Sequence, residues 1–137
     1  MAKIPEEIMG LFTEREASKV LATVDPEGTL QAGVRGRFNV VDEETIAFAD
    51  LADVLRRPEF KANQKAALAV FKLPNHGYQI QCTFQKYLTS GDLFDEWAKM
   101  LKEGSHHTNL GRVGLLKVDE IYSYASEDRS QHGTKIA

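Results

Sequence analysis

The chain has 137 residues, an apolar fraction of 42%, a charged fraction of 27% and a formal net charge of −3. These values are those of an ordinary soluble globular protein, and the length suits a single domain over residues 1–137. The negative charge provides no basic surface for nucleic acid. No apolar run is long enough for a membrane span and the N-terminus lacks a signal-like segment, so we expect a cytoplasmic location.

The first part of the chain predicts a short helix followed by strands. Pro5 suits the first turn of a helix, and an apolar strand follows over Lys19 to Asp25. The segment Asp25-Pro26-Glu27-Gly28 predicts a turn, because its proline fixes φ and its glycine accepts positive φ. A second strand over about Thr29 to Val41 is expected to pair with the first as a hairpin, and a third covers Thr45 to Ala49.

The second part predicts three more strands and two helices. A short helix is expected to begin near Pro58, before strands over Ala66 to Leu73 and Tyr78 to Leu88. A longer helix is expected from Asp92 to about Gly104, and a last strand over Arg112 to Tyr124. Six strands with few helices predict a mainly β fold, a small antiparallel barrel.

The predicted second strand carries two arginines on one face. Alternation assigns its apolar residues to the core, which turns Arg35 and Arg37 to the opposite face. Two like charges so close together repel unless water or an anion separates them. They could form a solvated basic strip balanced by nearby carboxylates, or they could bind an anionic ligand.

A second basic pair stands at a predicted helix start. Arg56 and Arg57 directly precede Pro58, a residue favoured at the first helical position. Cations just before a helix N-terminus oppose the helix dipole, at a cost of about 0.3–1 kcal/mol each. A bound anion would reverse that sign, so this pair is a candidate phosphate site.

The order of these segments resembles the pyridoxamine 5′-phosphate oxidase-like split barrels. The likeness includes Leu-Ala-Thr-Val-Asp-Pro-Glu-Gly at Leu21 to Gly28, Ile-Ala-Phe-Ala-Asp at Ile46 to Asp50, and the Arg56-Arg57 pair. It continues through Gly-Tyr-Gln-Ile-Gln at Gly77 to Gln81 and Gly-Leu-Leu-Lys-Val-Asp-Glu-Ile-Tyr at Gly114 to Tyr122. The resemblance covers nearly the whole chain and implies a six-stranded split barrel with short flanking helices.

The resemblance also implies a cofactor and a site. Members of this family usually bind FMN in a groove at a homodimer interface, with the phosphate held by a basic pair before the short helix. Carried over residue by residue, the implied FMN contacts are Val34, Arg35, Gly36, Arg37, Asp50, Leu51, Ala52, Arg56, Arg57 and Gln81. In this reading FMN carries out the redox chemistry, and no side chain is expected to act as a catalytic acid or base.

Several alternatives stay open on the sequence. The chain lacks the C-terminal Trp and Arg-X-His segments of a true pyridoxamine phosphate oxidase, which argues against vitamin B6 chemistry. The protein could be an FMN-dependent oxidoreductase or an electron carrier that serves a small redox partner. A second arginine and Pro58 replace the small residues of many relatives, which leaves room for F420 or for a cofactor-free anion-binding module. We expect Trp97 and Cys82 to be buried packing residues, and His106-His107 not to bind metal.

Overall fold

The computed structural model describes residues 3–13, 17–34, 38–51, 64–72, 76–103, 109–123 and 134–136. Within these residues the chain forms helices and strands in the following order: α1 (Glu6–Leu11), β1 (Ser18–Val24), β2 (Leu30–Val34), β3 (Phe38–Asp42), β4 (Thr45–Leu51), β5 (Lys65–Lys72), β6 (His76–Leu88), α2 (Asp92–Glu103), β7 (Leu110–Ser123) and β8 (Thr134–Lys135). The helix predicted near Pro58 lies outside the described residues.

One antiparallel sheet contains all the described strands. Its neighbours follow the order β2-β1-β5-β6-β7-β4-β3, and the two-residue β8 pairs with β7. The predicted mainly β antiparallel fold is confirmed, and the architecture is a split barrel. The path holds seven strands, so the predicted number of six was wrong.

The extra strand comes from the segment Thr29 to Val41, which was predicted as one strand. β2 pairs with β1 at one end of the strand order, whereas β3 pairs with β4 at the other end. The four Cα–Cα steps from Val34 to Phe38 reach at most about 14 Å, whereas seven strands laid flat would span roughly 29 Å. The sheet must therefore curl until its ends approach each other, which makes it a barrel.

The hairpin between β1 and β2 has the predicted turn. Gly28 has a φ of 83°, and its N–H donates to the Asp25 carbonyl at 3.0 Å. The Asp25 carboxylate accepts the N–H groups of Glu27 at 3.0 Å and Thr29 at 2.8 Å. An Asp side chain that bonds its own turn in this way fixes the turn and hence the β1–β2 register.

The barrel interior is filled by inward-facing apolar side chains. Leu21, Leu68, Ile80 and Ile121 occupy one row across four neighbouring strands, and each is at most 2% exposed. Burying a side chain of this size stabilises the fold by about 1.5–3 kcal/mol. Cys82 follows Ile80 on the same face and is 1% exposed, so its predicted place in the core is confirmed.

The two helices cover different parts of the sheet. α1 contributes Ile8 and Leu11 to the barrel core, and its last carbonyls lie near Lys19, whose Nζ donates to the Phe12 carbonyl at 3.4 Å. α2 packs Trp97, 2% exposed, against Ala47 and Val113 on the outside of the barrel. The prediction that Trp97 is a packing residue is confirmed. Neither described helix is long and apolar enough to cross a membrane.

Candidate functional site

The strand β3 begins and the strand β4 ends at the same end of the sheet. Phe38, the first residue of β3, pairs with Phe48 of β4, and β4 ends at Leu51. Because β3 and β4 run antiparallel, the chain enters β3 where it leaves β4. Phe38 and Leu51 therefore lie at the same end of this strand pair, which we call the β3–β4 end, and the predicted contacts at 35–37 and 52–57 are their neighbours in the sequence.

A half-buried ion pair joins β4 to β7 at the β3–β4 end. The Arg112 Nε–H donates to Asp50 Oδ2 at 2.9 Å, with side-chain exposures of 24% and 6%. Asp50 and Arg112 are opposite each other in the β4–β7 register, and a bulge follows between Asp50 and Leu51. The pair neutralises a carboxylate that would otherwise repel an anion at this end of the sheet.

Arg112 also stacks on an aromatic ring. Its guanidinium carbon lies 3.7 Å from the centroid of the Tyr87 ring in β6. The Tyr87 ring packs against Phe84 at 4.7 Å and edge-on against Phe48 at 6.3 Å between centroids. Arg112 therefore links β6, β7 and β4 through one cation–π contact and one ion pair.

Gly114 permits close contact between β7 and the Phe48 ring. A Cβ added at Gly114 would lie 2.9 Å from Phe48 Cε2 and still closer to Cζ and Cε1. Phe48 is fully buried, and its ring contacts that of Phe38 at a centroid distance of 6.1 Å. A larger residue at position 114 would displace the ring that supports the start of β3.

Small side chains line the outer face of β1 and β5. Val20, Ala22, Ala67 and Ala69 alternate with core residues and form two neighbouring rows of the register. We call these four residues the small-residue face. It is bordered on the β6 side by Gln79 and Gln81, which pair with Ala69 and Ala67. The result is a shallow apolar surface with amide groups along one edge.

A pocket of about 400 Å³ continues this face toward the β1–β2 turn. Its walls include Leu30, Lys65, Gln81, Asp119 and Glu120. A register shift between Gln81 and Cys82 leaves Asp119 without a counterpart in β6, so two consecutive acidic residues line one pocket. The size is within the range of small-molecule sites.

The acidic side chains of the pocket already have cationic neighbours. Lys65 Nζ donates to Thr83 Oγ1 at 2.9 Å and lies 3.6 Å from Asp119 Oδ2. Glu120 accepts the Tyr122 hydroxyl proton and lies 3.7 Å from Lys135 Nζ. The pocket rim is therefore close to electrically neutral, which does not favour a strongly charged ligand there.

Four of the ten predicted site residues are described, and they lie at three places in the structure. Asp50 and Leu51 are at the β3–β4 end, Gln81 lines the pocket, and Val34 pairs with Val20 beside the small-residue face. Six predicted contacts lie outside the described residues: Arg35, Gly36, Arg37, Ala52, Arg56 and Arg57. The site as a whole therefore stays a prediction.

Gln81 is far from Asp50 within one chain. Gln81 is opposite Glu120 in β7 and Asp50 is opposite Arg112, so eight residues of β7 separate the two positions. At the usual strand rise of about 3.3 Å this separation is roughly 25 Å. One flavin ring could not contact both side chains of the same chain.

Arg112 was not predicted from the sequence. It is 62 residues from Asp50 in the chain, and nothing local to either residue indicates their contact. It is the first residue of the predicted last strand, a position compatible with an ordinary surface cation. The antiparallel pairing of β4 with β7 is what creates the ion pair.

The buried Cys82 and the partly buried Tyr78 have shifted pKa values. Burial, with a smaller contribution from the Asp119 carboxylate, raises the pKa of the Cys82 thiol to about 12. Burial, followed by the negative charge of Glu7, raises the pKa of Tyr78. A thiol with so high a pKa is a poor nucleophile near neutral pH. Among the described residues no cluster of three or more His, Cys, Asp or Glu side chains could hold a metal ion.

Sequence comparison identifies one matching family. The profile of the pyridoxamine 5′-phosphate oxidase family matches residues 4–125. Comparison with curated protein sequences finds no significant match. The family match therefore covers most of the chain and all ten of the predicted FMN contacts.

Solved structures of the same fold carry different names. HupZ from Group A Streptococcus aligns with 98% of this chain and 99% of its own at 21% identity and a TM-score of 0.78. An FMN-binding protein from Syntrophomonas wolfei aligns with 88% and 85% at 19% identity and a TM-score of 0.75. An F420 reductase aligns with 86% and 98% at 19% identity and a TM-score of 0.63. The TM-scores show a shared fold, and at identities of 19–21% the likeness extends to the fold alone.

Proposed function

We propose an FMN-dependent redox function from the premise that this chain belongs to the pyridoxamine 5′-phosphate oxidase family. In this proposal the protein binds FMN and passes electrons between it and a small partner, as an oxidoreductase or as an electron carrier. Two chains form a homodimer with one FMN groove at each end of their interface, and the protein is cytoplasmic. An FMN-binding protein is among the solved structures of this fold.

The pairing of β3 with β4 is the observation that carries the proposal. β3 begins and β4 ends at the same end of this pair, and in the sequence Arg35 and Arg37 precede β3 whereas Arg56 and Arg57 follow β4. In this proposal the four arginines come together at that end, where they would repel one another unless an anion neutralised them. A phosphate monoester fits this requirement, since arginine binds phosphate with paired charge-assisted hydrogen bonds.

The described residues also suit a flat ring system. The small-residue face has no side chain larger than valine, so a planar group can lie against it with little displacement of the protein. Gln79 and Gln81 along its border each carry an amide that can both donate and accept hydrogen bonds. A flavin ring has donors and acceptors along one edge, so the chemistry of this border is compatible with it.

The distance between Gln81 and Asp50 supports a homodimer. A groove that includes the β3–β4 end of one chain can receive Gln81 only from a second copy, because one chain separates them by roughly 25 Å. In the proposed dimer each groove combines Asp50 and Leu51 of one chain with Gln81 of its partner. Such an arrangement repeats twice around a two-fold axis, which gives two equivalent sites.

The chain's own residues would bind, orient and shield the cofactor. Bound FMN would supply the one- and two-electron chemistry. The arginines would hold the phosphate, and the backbone N–H groups of residues 34–37 and 50–52 would hydrogen-bond the ring. Arg112 neutralises the Asp50 carboxylate through the hydrogen bond from its Nε–H to Asp50 Oδ2 at 2.9 Å. A small-residue face covered by a second chain would exclude water from one side of the ring.

A second candidate function is F420-dependent reduction. A solved structure of this fold is an F420 reductase, and the second arginine of Arg56-Arg57 departs from the small residue of many relatives. F420 also carries a phosphate group, so the same arginines would bind it. A cofactor-free anion-binding module is the third candidate, and it requires a colourless protein whose groove binds another anion.

Removal of the basic pair tests the proposed function. The variant Arg56→Ala/Arg57→Ala should lose at least about a hundredfold in FMN affinity, because each charge-assisted hydrogen bond contributes about 1.5–3 kcal/mol. Affinity would be measured by quenching of FMN fluorescence. The control Lys99→Ala/Lys102→Ala removes the same charge from exposed positions of α2 and should bind as the wild type does.

The dimer is examined with the same proteins. Light scattering after size-exclusion chromatography should give twice the chain mass for wild type, for the arginine variant and for the lysine control. An arginine variant that binds FMN with unchanged affinity would contradict the assigned phosphate position. A monomeric wild-type protein that still binds FMN would contradict the shared groove.

A further inference from the structure

Arg112 connects three strands at one point of the barrel. Its Nε–H donates to Asp50 in β4 at 2.9 Å, and its guanidinium lies 3.7 Å from the Tyr87 ring centroid in β6. Arg112 itself belongs to β7, between these two strands in the sheet. The N–H edge of the guanidinium therefore binds a carboxylate, and its planar face stacks on an aromatic ring.

This contact lies at an irregular point of the β4–β7 pairing. Asp50 pairs with Arg112 and Leu51 pairs with Leu110, so Gly111 of β7 is the extra residue of a bulge directly beside the ion pair. A bulge locally disrupts the hydrogen-bond ladder between its two strands, so the backbone at Leu51 depends on neighbouring contacts to hold one conformation. The Asp50 side chain, only 6% exposed, provides such a contact through Arg112.

We propose that Arg112 is a positioning residue for the cofactor. It holds Asp50, and through Asp50 the backbone at Leu51, in the orientation that the ring of a bound flavin requires. This inference rests on the proposed FMN function, in which Asp50 and Leu51 border the ring. Arg112 does not contact the cofactor in this proposal, and it acts only through Asp50.

The planar guanidinium is essential to this role. A lysine at position 112 would retain the positive charge, so Asp50 would not become an unpaired buried carboxylate. Its ammonium group, however, has no flat face for the Tyr87 ring and no fixed fork of N–H groups. The substitution Arg112→Lys therefore removes the contacts that orient Asp50 while it retains a positive charge beside the Asp50 carboxylate.

The experiment compares Arg112→Lys with wild type and with a matched control, Lys3→Arg. Lys3 forms an exposed ion pair with Glu43 at 3.4 Å, near the opposite end of the β3–β4 pair. Three quantities would be measured on each protein: FMN affinity, the visible circular dichroism of bound FMN, and hydrogen exchange at the Leu51 amide before FMN is added. The urea midpoint of each FMN-free protein records its stability.

Arg112→Lys should weaken FMN binding by about tenfold, in line with the effect of removing a partner that orients a binding residue. It should also alter the visible circular dichroism and speed exchange at Leu51, while Lys3→Arg should change none of these. A purely structural role would lower the urea midpoint but leave the affinity and the dichroism of the folded protein unchanged. That pattern would overturn the positioning role alone.

The two proposals fail in different ways. Wild-type protein that binds no FMN overturns the proposed function and the positioning role together. Wild-type and Arg112→Lys proteins that bind FMN equally well, with the same dichroism, overturn only the positioning role and leave the FMN function standing.

Discussion

The contact between Gly114 and Phe48 makes a quantitative test of the barrel register. The two residues are opposite each other in the β7–β4 pairing, and the Phe48 ring lies where a side chain at 114 would begin. The ring is 0% exposed and is held between Phe38 and Tyr87 at centroid distances of 6.1 and 6.3 Å. It therefore has little room to move when a methyl group is added.

The substitution Gly114→Ala should lower the free energy of unfolding by about 2–3 kcal/mol, the upper part of the range for overpacking a filled core. With a urea m-value of about 2 kcal/mol/M, this corresponds to a midpoint lowered by about 1–1.5 M. Urea unfolding followed by circular dichroism and by Trp97 fluorescence measures the change. Agreement between the two probes would support two-state unfolding.

The matched control is Gly33→Ala in β2. A Cβ at Gly33 would meet nothing within 4 Å, so the alanine should be neutral or stabilise the protein by up to about 1 kcal/mol through the unfolded chain. The double variant Gly114→Ala/Phe48→Leu should lose less than the sum of its single changes, because the smaller side chain relieves the overlap. Equal urea midpoints for Gly114→Ala and Gly33→Ala would refute the register of β4 against β7.

Two further predictions concern buried side chains. Trp97→Ala should lower the free energy of unfolding by about 3–5 kcal/mol. The control Met100→Ala changes a residue of the same helix that is 41% exposed, and it should change the free energy of unfolding by less than about 1 kcal/mol. Equal urea midpoints for the two variants would contradict the packing of α2 on the sheet. Burial raises the native pKa of the Cys82 thiol to about 12, whereas the pKa of this thiol in the unfolded chain is about 8.5. The stabilising effect of the buried thiol is therefore complete below about pH 8.5 and is lost as the pH rises toward 12. Between pH 8 and 10 the wild type should therefore lose about 2 kcal/mol more stability than Cys82→Ala, and parallel losses would contradict the burial of the thiol.

Local sequence patterns predicted much of the fold. The turn at Asp25 to Gly28 and the apolar side of α2 with Trp97 depend on neighbouring residues, and both are present in the structure. The division of Thr29 to Val41 into β2 and β3 was missed because the alternation of apolar and polar residues is the same on both sides of the division. A change of strand partner does not alter the alternation of apolar and polar residues along the chain, so this pattern cannot predict it.

The candidate site was less accessible to sequence reasoning. Asp50 was predicted from the family resemblance, but its partner Arg112 is 62 residues away and is brought to it only by the β4–β7 pairing. The pocket beside Gln81 depends on a register shift that turns Asp119 and Glu120 to one side. Bulges and long-range ion pairs are consequences of how strands pair, so no local pattern in this chain predicts them.

The visible absorption spectrum of the purified protein tests the central claim most directly, followed by identification of the compound that heat releases. The account predicts a yellow protein that releases FMN, or a colourless one that becomes yellow after FMN is added and retains it through gel filtration. A protein that releases F420 would replace FMN with the second candidate cofactor. A protein that is colourless and retains no added FMN would contradict the proposed flavin function.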